Sequence, residues 1–205
     1  MSLTTATLIE RNAELWDAAT RHEFLDRVRD GTLPVAALSR WMEQDYLFVA
    51  GLTRAWGRLL VGAPPADFRL IAAGIGAFSD ELGWFEERAA SLAVRLDREP
   101  LPEASTYIKD LADLATRPYA VAITGLWAVE VAYLDAWQGA SGGDERFSDV
   151  VEHWANAEFA AFVAELAVVV DHELAASPEH HRAAEDAFAA VLSHEALFWG
   201  LAGLD

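Results

Sequence analysis

The sequence predicts an all-α protein folded as one helical bundle, and three observations carry that expectation. Apolar residues recur three and four positions apart along most of the 205 residues, the spacing that lines one face of a helix. No segment alternates apolar and polar residues in a way that competes with this period. Prolines and glycines gather in a few clusters and leave long stretches of Ala, Leu, Glu and Arg between them. Hydrophobic residues make up 53 %, enough for a substantial core and too many for a disordered chain. With no repeat, low-complexity tail or linker, residues 1–205 read as a single domain.

The clusters place the elements. Asp30-Gly31-Thr32-Leu33-Pro34 separates a first helix over 5–29, broken near Arg21, from a second that runs to Val61. Ala63-Pro64-Pro65 opens a third helix reaching Asp97. Pro100 and Pro102 precede a shorter one ending near Thr116, and Pro118 opens the segment that carries Glu130. Ser141-Gly142-Gly143-Asp144 is the most flexible-looking loop. Ser177-Pro178 reads as an N-cap with proline at the first helical position, opening the last helix.

Composition narrows the function classes. A formal charge of −18 argues against non-specific binding to nucleic acid or to an anionic membrane. With no cysteine, disulfides, cysteine-zinc sites and thiol nucleophiles are excluded. The start Met1-Ser2-Leu3-Thr4-Thr5-Ala6 lacks the basic-then-apolar layout of a secretory signal. The longest uncharged apolar run, Tyr119 to Val129, stops at Glu130, short of a membrane span. A cytoplasmic protein is expected.

Four carboxylates stand where a soluble helix normally carries Leu or Ala. Asp45 shares its helix face with Trp41, Met42, Phe48 and Val49, and Glu81 with Phe78, Trp84 and Phe85. Glu130 shares its face with Leu126, Trp127, Tyr133 and Leu134, and Glu195 with Val191, Leu192, Phe198 and Trp199. Unpaired charge among aromatics is costly, so inward acids on separate helices point to a common polar pocket. An alanine-rich chain also places acids near apolar residues by chance: Glu165 passes a loose version of this test, and Glu158 nearly passes the strict one.

Two chemistries could use such a pocket. A carboxylate di-metal site also wants His one turn from a Glu. Here Trp84 follows Glu81 by three, Tyr133 follows Glu130 by three, and His194 points about 100° away from Glu195. His22, His153, His172, His180 and His181 read as solvated residues instead of ligands, so no metal is expected. The other chemistry is recognition of a small, flat, nitrogen-rich ligand. Phe48, Tyr46 and Tyr107 could stack on its faces while carboxylates accept hydrogen bonds from its amines. Two acids in one apolar pocket also have their pKa values pushed apart, giving an acid and a base.

Asp30-Gly31-Thr32-Leu33-Pro34, Trp41 and Gln44-Asp45-Tyr46-Leu47-Phe48 together resemble the N-terminal signature of the TenA (thiaminase II) family. Ser193-His194-Glu195-Ala196-Leu197-Phe198-Trp199-Gly200 resembles that family's closing helix, and Pro102-Glu103-Ala104-Ser105-Thr106-Tyr107 its Pro-x-x-x-x-Tyr segment. The resemblance implies a heme-oxygenase-like bundle, assembled as a homotetramer, that handles thiamin-derived pyrimidines without metal, heme or other cofactor. The implied reaction hydrolyses the aminomethyl carbon of an aminopyrimidine to hydroxymethylpyrimidine and ammonia, for thiamin salvage. By motif position Asp45 would bind the pyrimidine edge or leaving amine, and Glu195 the ring nitrogen and amino group. Phe48 and Tyr107 would contact the ring, Phe198 would line the pocket, and Tyr46 and Glu81 would support the binding site.

One departure stands out. Many members carry the proposed nucleophilic cysteine two residues before a Trp, and here Gly125 precedes Trp127. The chain therefore resembles the cysteine-lacking branch, in which a glutamate is thought to take over. Glu130 is the nearest candidate, as a general base toward water, with Glu81 the runner-up. The bland alternative pairs Glu130 with Arg54 or Arg58, and Thr124 has no adjacent base to activate it. Two other functions stay open: a non-catalytic binder of a pyrimidine-like heterocycle, and a metal-dependent oxidase on the same bundle.

Overall fold

A computed structural model describes residues 3–91 and 94–204. Met1 and Ser2 of the amino-terminal reading, Leu92 and Ala93 of the third expected helix, and Asp205 lie outside the described residues. Those residues form ten α-helices, three 3-10 turns and no strand. The helices are α1 (Thr5–Arg11), α2 (Ala13–Thr20), α3 (Glu23–Arg29), α4 (Val35–Gly62) and α5 (Phe68–Ala89), then α6 (Pro102–Leu114), α7 (Tyr119–Gly139), α8 (Ser148–Trp154), α9 (Ala157–Ala176) and α10 (His181–Phe198). The expected all-α class holds.

The helix α7 lies at the centre, and α2, α4, α6, α8, α9 and α10 all pack on it. It is long and apolar enough by composition to cross a membrane, with a mean hydropathy of 1.2 over its best window, yet 89 % of that window is buried inside the protein. A helix wrapped on every side needs no polar face, which is why its sequence reads as nearly uniform apolar residue. By contrast α4 buries a stripe, including Leu38, Trp41, Met42, Asp45, Phe48, Val49, Leu52 and Trp56, and leaves its opposite side to solvent.

Four boundaries differ from the sequence reading, each for a local reason. The first expected helix is three. The chain breaks at Asn12, whose side chain turns back to Leu8 O at 2.8 Å, as well as at the expected place, Arg21–His22, where His22 Nδ1 accepts from Phe24 N–H and caps α3. The third starts at Phe68 instead of Pro65, because Pro64 to Asp67 form a turn closed by Asp67 N–H on Pro64 O. It ends at Ala89, and the following stretch is tied to α4 by side chains: Glu43 accepts from Arg95 N–H at 3.1 Å and buried Gln44 from Leu101 N–H at 2.7 Å. Ser177 makes no side-chain cap; Pro178–His180 form a 3-10 turn and α10 begins at His181.

The glycines of the 141–144 loop serve close approach as much as freedom. A Cβ at Gly143 would stand 2.3 Å from Arg29 O, and Asp144 N–H donates to that same carbonyl at 2.8 Å. Across the contact Gly31 holds a φ of 67° under the Asp144 side chain. The loop is thereby seated on the end of α3.

Candidate active site

Four helices each deliver one acid to the interior: Asp45 from α4, Glu81 from α5, Glu130 from α7 and Glu195 from α10. Asp45, Glu130 and Glu195 are 1 %, 3 % and 2 % exposed. Glu81 is half-buried as a residue, with its carboxyl held in an enclosed setting. Glu158 and Glu165, the acids that nearly passed the sequence test, are exposed.

The electrostatics show that the four form one cluster. Burial holds Asp45 well above the usual carboxylate range, reinforced by repulsion from Glu81 and Glu195, against a hydrogen bond from Tyr133. Burial also holds Glu130 well up, again reinforced by Glu81 and Glu195. Glu81 and Glu195 thus each couple electrostatically to both Asp45 and Glu130. Glu81 is raised by burial to about 7, its rise limited by the indole N–H of Trp154, which donates to Glu81 Oε1 at 2.6 Å. Glu195 is raised by burial to about 7, its rise limited by Tyr107, whose hydroxyl donates to Glu195 Oε1 at 2.5 Å.

The partners are donors throughout, and no cation is among them. Tyr133 donates to Asp45 Oδ2 at 2.9 Å, and Asp45 Oδ1 is buried with no hydrogen-bond partner. Glu130 Oε1 is likewise buried and unpartnered. The Trp56 indole lies close enough to favour the charged form of Glu130, but Trp56 Nε1 makes no hydrogen bond of good geometry. Among the described residues no ion pair involves any of the four acids. Arg54 and Arg58, the expected bland partners of Glu130, donate to Ala50 O and Ala112 O. Nor do three His, Asp or Glu side chains of the described residues converge as ligands of one metal ion.

Aromatic rings wall the cluster. Phe48 and Tyr107 lie 4.8 Å apart, Phe48 and Phe198 5.2 Å, and Tyr107 and Phe198 6.3 Å, bringing three of the expected ring-contact residues together. Tyr46 does not join them. It packs edge-on against Phe85 and its hydroxyl donates to Glu86, because consecutive helix positions point about 100° apart and Asp45 takes the inward one.

Several participants were invisible in the sequence. Tyr133 and Trp154 hold Asp45 and Glu81 from positions 88 and 73 residues away, so no local spacing announces them. The expectation of solvated histidines also fails for several. His153 stacks on Trp84 at 4.0 Å and is lowered by burial to about 4, His181 bonds Leu174 O, and His22 caps α3. Gly125 turns toward α6: a Cβ there would stand 2.5 Å from Leu114 Cδ2. Thr124 gives its hydroxyl to Ala120 O at 2.6 Å and is spent as a backbone partner.

The sequence of residues 9–205 matches the model of the TENA/THI-4/PQQC family. The chain belongs to that family. A Glycine max protein named "Probable bifunctional TENA-E protein" is 28 % identical over 210 residues, covering 96 % of this chain and 92 % of its own length. The crystal structure of a TenA homologue from Pyrococcus furiosus superposes with a TM-score of 0.92 at 27 % identity, covering 98 % of this chain and all of its own. A domain of heme oxygenase-like fold from Shewanella denitrificans superposes with a TM-score of 0.70 at 18 % identity, covering 98 % and 92 %. The bundle of this TenA-family chain is therefore heme-oxygenase-like, as the sequence motifs imply.

Proposed function

We propose that this TenA-family protein hydrolyses thiamin-derived aminopyrimidines in thiamin salvage, converting an aminomethylpyrimidine to hydroxymethylpyrimidine and ammonia with carboxylates in place of a thiol. The observation that carries the reading is a set of four enclosed carboxyls, two of which keep a buried oxygen without a hydrogen-bond partner among the described residues. Four acids meet without a cation, and Asp45 Oδ1 and Glu130 Oε1 are unpartnered. The complementary ligand is flat, carries several N–H donors and bears positive charge, as a protonated aminopyrimidine with an aminomethyl arm does.

In this reading the ring lies against Phe48 and Tyr107, with Phe198 at its edge, and Glu195 accepts from the exocyclic amine and the protonated ring nitrogen. Asp45 holds the leaving aminomethyl nitrogen. Glu130 and Glu81 repel each other, so one is ionised while its neighbour stays neutral, and the ionised one takes a proton from water. The water oxygen bonds to the methylene carbon as the carbon–nitrogen bond of the protonated aminomethyl group breaks, and the freed ammonia takes the water's proton back from the carboxyl base to leave as ammonium. Glu81, the runner-up base of the sequence reading, gains weight in this reading because it couples to both Asp45 and Glu130. The same family resemblance supports a cofactor-free homotetramer acting on a small-molecule substrate, and the composition supports a cytoplasmic setting.

Incubation of purified protein with 4-amino-5-aminomethyl-2-methylpyrimidine, followed by ammonia release, tests the reading. Glu195→Gln and Glu130→Gln are each expected to lose about a hundredfold or more, the usual worth of a positioned acid or base. No turnover above buffer, or unchanged turnover in both variants, would sink it. Tight binding without hydrolysis would identify a carrier of the heterocycle instead.

A further inference from the structure

The seam between α6 and α10 is joined at two levels. Inside, the Tyr107 hydroxyl donates to Glu195 Oε1 at 2.5 Å. Outside, His194 Nε2 donates to Asp110 Oδ2 at 2.9 Å. Tyr107 and Asp110 lie one turn apart on α6, and His194 and Glu195 are neighbours on α10. Between the levels the imidazole lies nearly flat on the phenol ring, with centroids 4.6 Å apart and planes 11° apart. The other rings on Tyr107 are inclined, Phe48 by 36° and Phe198 by 71°, so His194 alone among them meets the phenol face-on.

His194 also stands between two surface clefts and lines both. One, of about 290 Å³, reaches Tyr107 between Leu111, Leu114 and Val191; the other, of about 220 Å³, reaches Phe198 beside Pro102 and Thr106. The imidazole therefore borders both clefts while it covers one face of a ring whose hydroxyl touches a buried acid. Truncating it would let water onto that face and free the phenol to swing, with nothing else at hand to lie flat against it.

We propose that His194, held by Asp110, is a positioning residue for Glu195, fixing the Tyr107 ring so that its hydroxyl keeps the carboxyl aimed at the substrate. The activity arm of this proposal rests on the hydrolase reading above; the spectroscopic arm does not. Orientation errors of about 1 Å cost up to about a hundredfold in rate, so the effect should fall on kcat.

Four variants separate the ring from the hydrogen bond. His194→Ala removes both, His194→Gln keeps a polar end without a ring, His194→Phe keeps a flat face without the Nε2 donor, and Asp110→Asn keeps an acceptor for His194. His194→Ala and His194→Gln are expected to lose about tenfold to a hundredfold in kcat with KM within about threefold. His194→Phe and Asp110→Asn should recover most of that loss. In proton NMR, the downfield hydroxyl resonance of a short phenol–carboxylate bond, assigned by its absence in Tyr107→Phe, should vanish or shift in His194→Ala and persist in His194→Phe. An unchanged kcat and resonance in His194→Ala would overturn the proposal. So would a loss confined to KM, or a His194→Phe variant as impaired as His194→Ala at equal melting temperature. If the wild type turns over no aminopyrimidine, the hydrolase reading fails, and the resonance still decides whether His194 positions the Tyr107–Glu195 pair.

Discussion

Replacing Glu195 by Gln removes one ionisable group from the cluster with little change of shape, since the amide oxygen can still accept the Tyr107 hydroxyl proton. Burial raises the wild-type carboxyl from 4.5 to about 7. A group whose folded pKa exceeds its unfolded value binds its proton more tightly when folded, so its contribution to stability is fully present below pH 4.5 and is lost as pH rises to about 7. At about 1.36 kcal/mol per pH unit that loss comes to about 3 kcal/mol. The raw wild-type curve mixes opposing slopes, because burial lowers His22 and His153, and their contribution is lost toward acid instead. The difference between variant and wild type isolates the acid. Urea unfolding at a series of pH values should show Glu195→Gln gaining about 3 kcal/mol on the wild type between about pH 4 and about pH 8. Relief of the repulsion on Asp45 and Glu130 works in the same direction. A difference that does not change with pH would refute the reasoning, because Glu195 would then be hydrated or paired in the folded protein.

Tyr133→Phe leaves Asp45 Oδ2 without its donor and should cost about 1–3 kcal/mol by urea unfolding at low pH, while weakening binding of hydroxymethylpyrimidine by calorimetry. Trp154→Phe removes the N–H that limits the rise of Glu81, so Glu81 should move above about 7, and the acid limb of the kcat profile should shift to higher pH if Glu81 is the base. Gly125→Cys should not raise kcat, since its Cβ points toward Leu114 on α6; the melting temperature should change little, because the half-buried Leu114 side chain can shift aside, and a large drop would show that it cannot.

What the sequence made legible was whatever local spacing encodes. The inward position of Asp45, Glu130 and Glu195 follows from apolar neighbours one turn away, and burial separates them cleanly from Glu158 and Glu165. The Phe48, Tyr107 and Phe198 wall was legible from motif resemblance, while Tyr46, adjacent to Asp45, turned to Glu86. Contacts between distant helices were not legible. Tyr133 on Asp45, Trp154 on Glu81 and His194 on both Asp110 and Tyr107 depend on how α5, α6, α7, α8 and α10 are set against one another. The coupling of Glu81 to both Asp45 and Glu130, which strengthens its standing as a candidate base, is of this kind. Helix ends at Asn12 and Ala89 were missed because side-chain tethers to the backbone, through Asn12, Glu43 and Gln44, override helix propensity there.

The most direct measurement is a crystal structure of the protein soaked with 4-amino-5-aminomethyl-2-methylpyrimidine or its hydroxymethyl product. The expected result is a ring against Phe48 and Tyr107, with its amine on Glu195 and its exocyclic arm reaching Asp45 Oδ1 and Glu130 Oε1. A ligand bound only in the α6–α10 clefts, or an acid cluster left empty at saturating ligand, would contradict the assignment of these four carboxylates as the substrate site.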